Sequence, residues 1–166
     1  MEDQRGFSLF EAILVIALVG IVAAVFATAL VPTMRASVMV GTRNEALQSA
    51  RVALDRMVRE IRLIRSTAYI QTWTANDLKF NVNNPYNTSI EFKLSGDTPP
   101  NLLRVKDGVL PGDVLSGNVQ SLTFSYLENN GNPAALANIW RIVIDLSVKV
   151  GAETVNLRSE VHPSNF

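Results

Sequence analysis

The sequence predicts an α+β protein, a long N-terminal helix followed by a C-terminal antiparallel β-sheet head. Three observations predict it. From Ala12 to Met34 the chain runs 23 residues without a charge. From Leu47 to Ala68 apolar residues recur at spacings of three and four. From Leu78 onward apolar and polar residues alternate with a period of two. The first pattern is membrane-length, the second is an amphipathic helix and the third is a set of half-buried strands.

Length and composition bound the function. At 166 residues the chain fits one domain plus an anchor. Its hydrophobic content of 48% is unevenly placed, concentrated in the first fifth. Fifteen basic residues balance fifteen acidic ones, and the isoelectric point is about 6.6, so bulk attraction to nucleic acid is not indicated. The chain has no cysteine, which excludes disulfides, thiolate metal sites and thiol nucleophiles. A single histidine, His162, argues against a histidine-based metal or catalytic site.

The N-terminal segment is the first element. Gly6-Phe7-Ser8-Leu9-Phe10-Glu11 leads straight into the apolar run, and no charge follows Glu11 until Arg35. At about 1.5 Å per residue that run spans a hydrocarbon core of roughly 30 Å. A carboxylate in such a segment costs roughly 2.5–3.5 kcal/mol at the centre and less at the end, so Glu11 calls for a partner. Three readings compete. A cleaved secretory signal would use Ala27-Thr28-Ala29, but the run is long for a signal, its leader has one base against two acids, and Glu11 interrupts it. A plain single-pass anchor, displaying a β-rich binding module, accounts for the length and leaves Glu11 unexplained.

The third reading comes from a resemblance. A short polar leader, Gly6-Phe7, Glu11 at that spacing and an unbroken apolar helix together resemble the N-terminal signature of type IV pilins and type II secretion pseudopilins. The resemblance implies cleavage by prepilin peptidase between Gly6 and Phe7, N-methylation of Phe7, and no enzymatic activity of the chain's own. Glu11 becomes the fifth mature residue, one helical turn from the new ammonium at Phe7. It would pair with that ammonium in its own chain or in a neighbouring subunit, which relieves two otherwise stranded charges. The implied partners are the peptidase, other pilin or pseudopilin subunits and the membrane, with no small-molecule substrate. The implied location is the inner membrane, single-pass with a periplasmic head, and then a pilus or pseudopilus.

Two departures from the pattern stand out. The leader carries Glu2 and Asp3 against Arg5, while Arg35 and Arg43 lie beyond the apolar run, so the charges do not favour a cytoplasmic N-terminus. Many members of the family have a mid-helix proline; here Thr28 stands in that region and Pro32 follows, so a kink is expected at Pro32. The resulting plan is a leader at 1–6, a membrane or filament-core half-helix at 7–31, an amphipathic half-helix at 32–68 and a β-rich head at 69–166.

The second half-helix carries the stripe Leu47, Ala50, Leu54, Met57, Ile61, Ile64 and Ala68. Arg51 with Asp55, Asp55 with Arg59, and Arg56 with Glu60 are complementary at one-turn spacing. With Phe7 as its start, the helix is expected to leave near Ser66. Seven arginines lie between Arg35 and Arg65. They admit a nucleic-acid partner, but a solvated helix face accounts for them and no interleaved aromatics support base stacking.

In the head, Leu78, Phe80 and Val82 alternate with Lys79 and Asn81, and Ile90, Phe92 and Leu94 with Glu91 and Lys93. Leu103 and Val105 are expected inward, with Arg104 and Lys106 outward. Leu122, Phe124 and Tyr126 follow, then the long face Trp140, Ile142, Ile144, Leu146 and Val148, then Val155, Leu157 and Val161. This is antiparallel patterning with one wet face, and Lys149 to Glu153 reads as a hairpin. The turns 83–87, 96–100 and 128–133 are rich in Asn, Asp, Gly and Pro. Their oxygens suit calcium, yet there is no EF-hand spacing and such turns need no metal, so no cofactor is expected.

Further likenesses refine the family. The stretch Arg51-Val52-Ala53-Leu54-Asp55-Arg56-Met57-Val58-Arg59-Glu60-Ile61-Arg62 resembles the helix exit of J-type and W-type minor pilins. So do Leu122-Thr123-Phe124-Ser125-Tyr126 ahead of an Asn-Gly loop and the ending from Leu157 to Asn165. This implies a minor component that initiates or caps a filament. No nucleophile elbow, phosphate loop or paired histidines appear, and Asp107 and Asp113 merely flank a Gly/Pro turn.

Overall fold

The structure, a computed structural model, describes residues 9–82, 88–151 and 153–163. Side chains of residues 31–33, 35–40 and 42 are outside that description. The chain divides into two compact units, Met1–Gly41 and Thr42–Phe166.

Helix α1, Leu9–Ile61, is assigned across the boundary between them. Leu, Ala, Arg, Met and Glu favour it, and Glu11 in its first turn and Arg59 in its last complement the helix dipole. Pro32 lies within the assigned helix, where its missing N–H removes one intrahelical bond. The helix ends at Ile61 rather than near Ser66. There the bonding tightens: Leu63 N–H donates to Glu60 O at 3.1 Å and Ile64 N–H to Ile61 O at 3.0 Å. The tight turn still delivers Ile64 to the core. Ser66 then caps a short 3-10 turn, Thr67–Tyr69, accepting from Ala68 N–H at 3.3 Å. Ala68 is thereby exposed, and the apolar stripe closes at Ile64.

The second unit carries two antiparallel sheets. Strands β1 (Ile70–Trp73), β2 (Asp77–Val82), β3 (Thr88–Leu94), β4 (Leu102–Lys106) and β5 (Asp113–Ser116) form a meander in sequence order. Strands β6 (Val119–Leu127), β7 (Arg141–Val150) and β8 (Glu153–Val161) form the other. The alternation leaves the number of sheets open, because the switch is made by Gly117 and Asn118 alone. Asn118 takes φ +54° there. Two backbone bonds tie the second sheet to loops of the first: Val119 N–H to Pro100 O at 3.0 Å and Phe124 N–H to Ala75 O at 2.7 Å. The β7–β8 hairpin pairs Val150 with Glu153, and Gly151 at its turn has φ +64°.

Both sheets and the helix share one core. Ala50, Ala53, Leu54, Met57 and Ile61 pack in one buried cluster with Leu78, Phe80 and Phe92 of the first sheet and Leu122, Ile144 and Leu146 of the second. Phe80 and Phe92 meet with ring centroids 6.1 Å apart. Each such side chain contributes about 1.5–3 kcal/mol on burial.

Three strand expectations are corrected. In β4, Leu102 joins the core while Leu103 is half-buried, because a register shift lies between the two. Arg104 turns inward to meet α1, where Glu60 answers its charge. Strands β1 and β5, four residues each, have apolar and polar residues that do not alternate in sequence, Ile70-Gln71-Thr72-Trp73 and Asp113-Val114-Leu115-Ser116. Trp140 stands outside β7 and is half-exposed, because Trp140 N–H donates to Leu127 O at 2.9 Å before the ladder starts at Arg141.

Candidate functional site: the N-terminal apolar helix

The expected cleavage and methylation positions, Gly6 and Phe7, lie outside the described residues. Glu11 lies inside them, exposed in the first turn of α1. Helical spacing sets it on a line with Leu14, Val15 and Leu18. Every other side chain from Leu9 to Leu30 is uncharged.

This segment, 22 residues and about 33 Å long, is long and apolar enough to cross a membrane. Its large apolar side chains are 43–82% exposed within the chain itself. Moving each out of water contributes about 1.5–3 kcal/mol, so a handful outweighs the roughly 2.5–3.5 kcal/mol that one central acid opposes. The one hydroxyl in the segment, Thr28, donates to Val25 O at 2.8 Å and presents no unmet donor to an apolar surrounding. Nothing stands within 4 Å of where a Gly20 Cβ would be, so no contact inside this chain requires a glycine there. The chemistry available to the segment is therefore partition and packing.

The head holds its charges differently. Glu60 accepts from Arg104 Nε at 2.9 and 2.8 Å through both carboxylate oxygens, and from Arg56 Nε at 3.1 Å. Arg104 also bridges Asp113 at 3.4 Å. The Arg56–Glu60 half is the one-turn pair visible in the sequence. Arg104 carries no such signal, because its partner is distant in the chain. The loop that brings Asp113 to Arg104 depends on Gly112, at φ +83°, where a Cβ would stand 2.9 Å from Arg104 O.

A second polar group sits where β2 and β3 pair. Burial pushes the Asp77 carboxyl above its ordinary range, and the Glu91 carboxylate adds to this. One oxygen of Asp77 is buried without a hydrogen-bond partner, while Glu91 is held by Lys93 Nζ at 2.7 Å. Burial also raises the Tyr126 phenol, which donates to Thr74 O at 3.0 Å.

The other singled-out residues find structural partners. Asp107 accepts from Ser89 N–H at 2.8 Å. His162 packs edge-on against Trp140, ring centroids 6.0 Å apart. In the 128–133 turn, Asn130 accepts from Asn132 N–H at 2.8 Å and donates to Glu128 at 3.0 Å. Among the described residues no three His, Asp or Glu side chains gather to hold a metal ion.

Comparison with known families places one feature. Residues 1–27 match the family model described as the prokaryotic N-terminal methylation motif, which is type IV pilin-like. The matched stretch contains Gly6, Phe7 and Glu11 and most of the apolar segment Leu9–Leu30. No curated protein and no solved structure matches the chain.

Proposed function

We propose that the chain is the precursor of a minor pilin or pseudopilin. Prepilin peptidase cuts it between Gly6 and Phe7, Phe7 is N-methylated, and the mature subunit joins a type IV pilus or type II secretion pseudopilus as an initiating or capping component. One observation carries the reading: the methylation motif at residues 1–27 takes in most of a membrane-length helix whose large apolar side chains are exposed. The subunit first rests in the inner membrane with its head in the periplasm. It then leaves the bilayer for a filament core, where the same side chains pack against neighbours. Glu11 pairs with the Phe7 ammonium of its own chain or of the adjacent subunit and sets the axial position. Local loosening at Pro32 lets the helix adjust as it changes surroundings.

Glu11→Val and Glu11→Gln test the assembly step. Both variants are expected to insert in the membrane and to be cleaved. Both are expected to fall about tenfold or more in co-purification with partner subunits, since an unpaired ammonium remains buried. Recovery equal to that of the unaltered chain would end the proposed role of Glu11.

A further inference from the structure

We propose that the pocket beside Trp140 is a binding site for a neutral saccharide. The pocket, about 300 Å³, opens on the head where the turns Thr67–Tyr69 and Leu136–Asn138 approach each other. Its polar lining is Ser66, Thr67, Asn129 and Asn138, and Ile139 and Trp140 supply the apolar surface. Among the described residues no charged side chain lines it.

Adjacent residues divide the work. Ile139 is buried, and Trp140 stands 42% exposed against the cavity. The indole is one of two in the head, and its exposure forgoes stability that the neighbouring isoleucine secures; Trp73, 38% exposed, packs instead against Tyr126. The ring is nonetheless held, in a T-shaped contact with His162 at 6.0 Å, and its backbone N–H is bonded to Leu127 O. Around it lie unused hydrogen-bonding groups. The indole N–H, the Thr67 hydroxyl and the Asn129 amide make no side-chain hydrogen bond among the described residues. Asn138 donates to Glu128 at 3.4 Å, and its amide oxygen accepts no hydrogen bond among the described residues.

A held indole lining a pocket with neutral amides and hydroxyls matches one ligand chemistry. A pyranose ring has an apolar C–H face that stacks on an indole and a rim of hydroxyls that both donate and accept. A neutral lining offers nothing to a phosphate or sulfate, which would seek arginine. The volume stands at the small end of ligand pockets, enough for a terminal sugar with the remaining chain in solvent. The site lies wholly within the head and does not rest on the assembly reading.

The test is amide chemical-shift titration of the full chain in a detergent without a sugar headgroup. Hexose oligosaccharides and N-acetylglucosamine oligomers form separate arms, which distinguish the two sources of such a ligand. The expected result is saturable shifts at residues 66–67 and 129–140 in one arm, at millimolar concentrations. Trp140→Ala should weaken binding about tenfold or more, and Asn129→Ala severalfold, with the core amide shifts of the folded head retained in both. No saturable shift in either arm overturns the proposal. So does saccharide binding that Trp140→Ala leaves intact, or a pocket that answers only to peptides.

Discussion

The apolar side chains of Leu9–Leu30 and those of the head are the same residue types in opposite circumstances. Leu14, Val19 and Phe26 are all more than half exposed, while Leu78, Val148 and Phe92 are fully buried. The head therefore supplies its own solvent for its apolar groups. The N-terminal segment must find one elsewhere, in lipid or in other chains. Charge divides the same way. The head answers its inward arginine with an inward acid, whereas the segment keeps Glu11 at one end and no other charge. Stability and location are thus separable properties of this chain, and substitutions should move one without the other.

The largest effect is expected from Phe92→Ala. It opens a cavity in the core of the head and should lower unfolding stability by about 3–5 kcal/mol in denaturant titration. Membrane fractionation should not change. Val19→Arg reverses the pattern. It adds roughly 2.5–3.5 kcal/mol against insertion and should shift the chain out of the membrane fraction, leaving the head's denaturation midpoint in place. If either substitution moved both readouts equally, the separation would fail.

Arg104→Ala is next. Arg104 and Glu60 have only 11% and 16% of their side-chain surface exposed, so removing one partner leaves a half-dry charge. The loss should be about 2 kcal/mol, short of the 3–5 of a wholly dry pair because Arg56 still faces Glu60. A Glu60→Met, Arg104→Leu double variant should recover most of it, which denaturant titration would show.

The smallest effect is a pH dependence. The Asp77 carboxyl is raised in the folded head, so the folded state holds that proton more tightly than the unfolded one. Stability from this group is present below the ordinary value of 3.8 and falls as pH rises through the raised one. Asp77→Asn should therefore raise the melting midpoint at neutral pH and make no difference near pH 3. A melting series across that range checks it.

The extent to which the sequence was legible follows range. The apolar segment, the stripe from Leu47 to Ile64 and the long strands β2, β3, β6 and β7 are periodic over many residues, and their patterns specify them. The short strands β1 and β5 do not alternate in sequence. The inward turn of Arg104 depends on a register shift and on an acid 44 residues away, which no local pattern records. The helix stop at Ile61 is similarly hidden, because Arg62 and Leu63 suit a helix and the tightened turn that delivers Ile64 to the core has no local signature. At the candidate site the balance favours sequence. Gly6, Phe7 and Glu11 are a local motif, legible before any fold is known, and the structure adds the exposure of the helix that follows. The pocket at Trp140 was invisible for the opposite reason, since its lining comes from three separate stretches.

The central claim is that the exposed segment begins at a processed residue, and the intact mass of the chain tests it most directly. In a host with active prepilin peptidase, the account predicts a mass lacking residues 1–6 and carrying about 14 Da for one methyl group on Phe7. A full-length N-terminus in that host would contradict it and leave an uncleaved single-pass anchor. Cleavage near Ala29 would contradict it as well and make the segment a secretory signal.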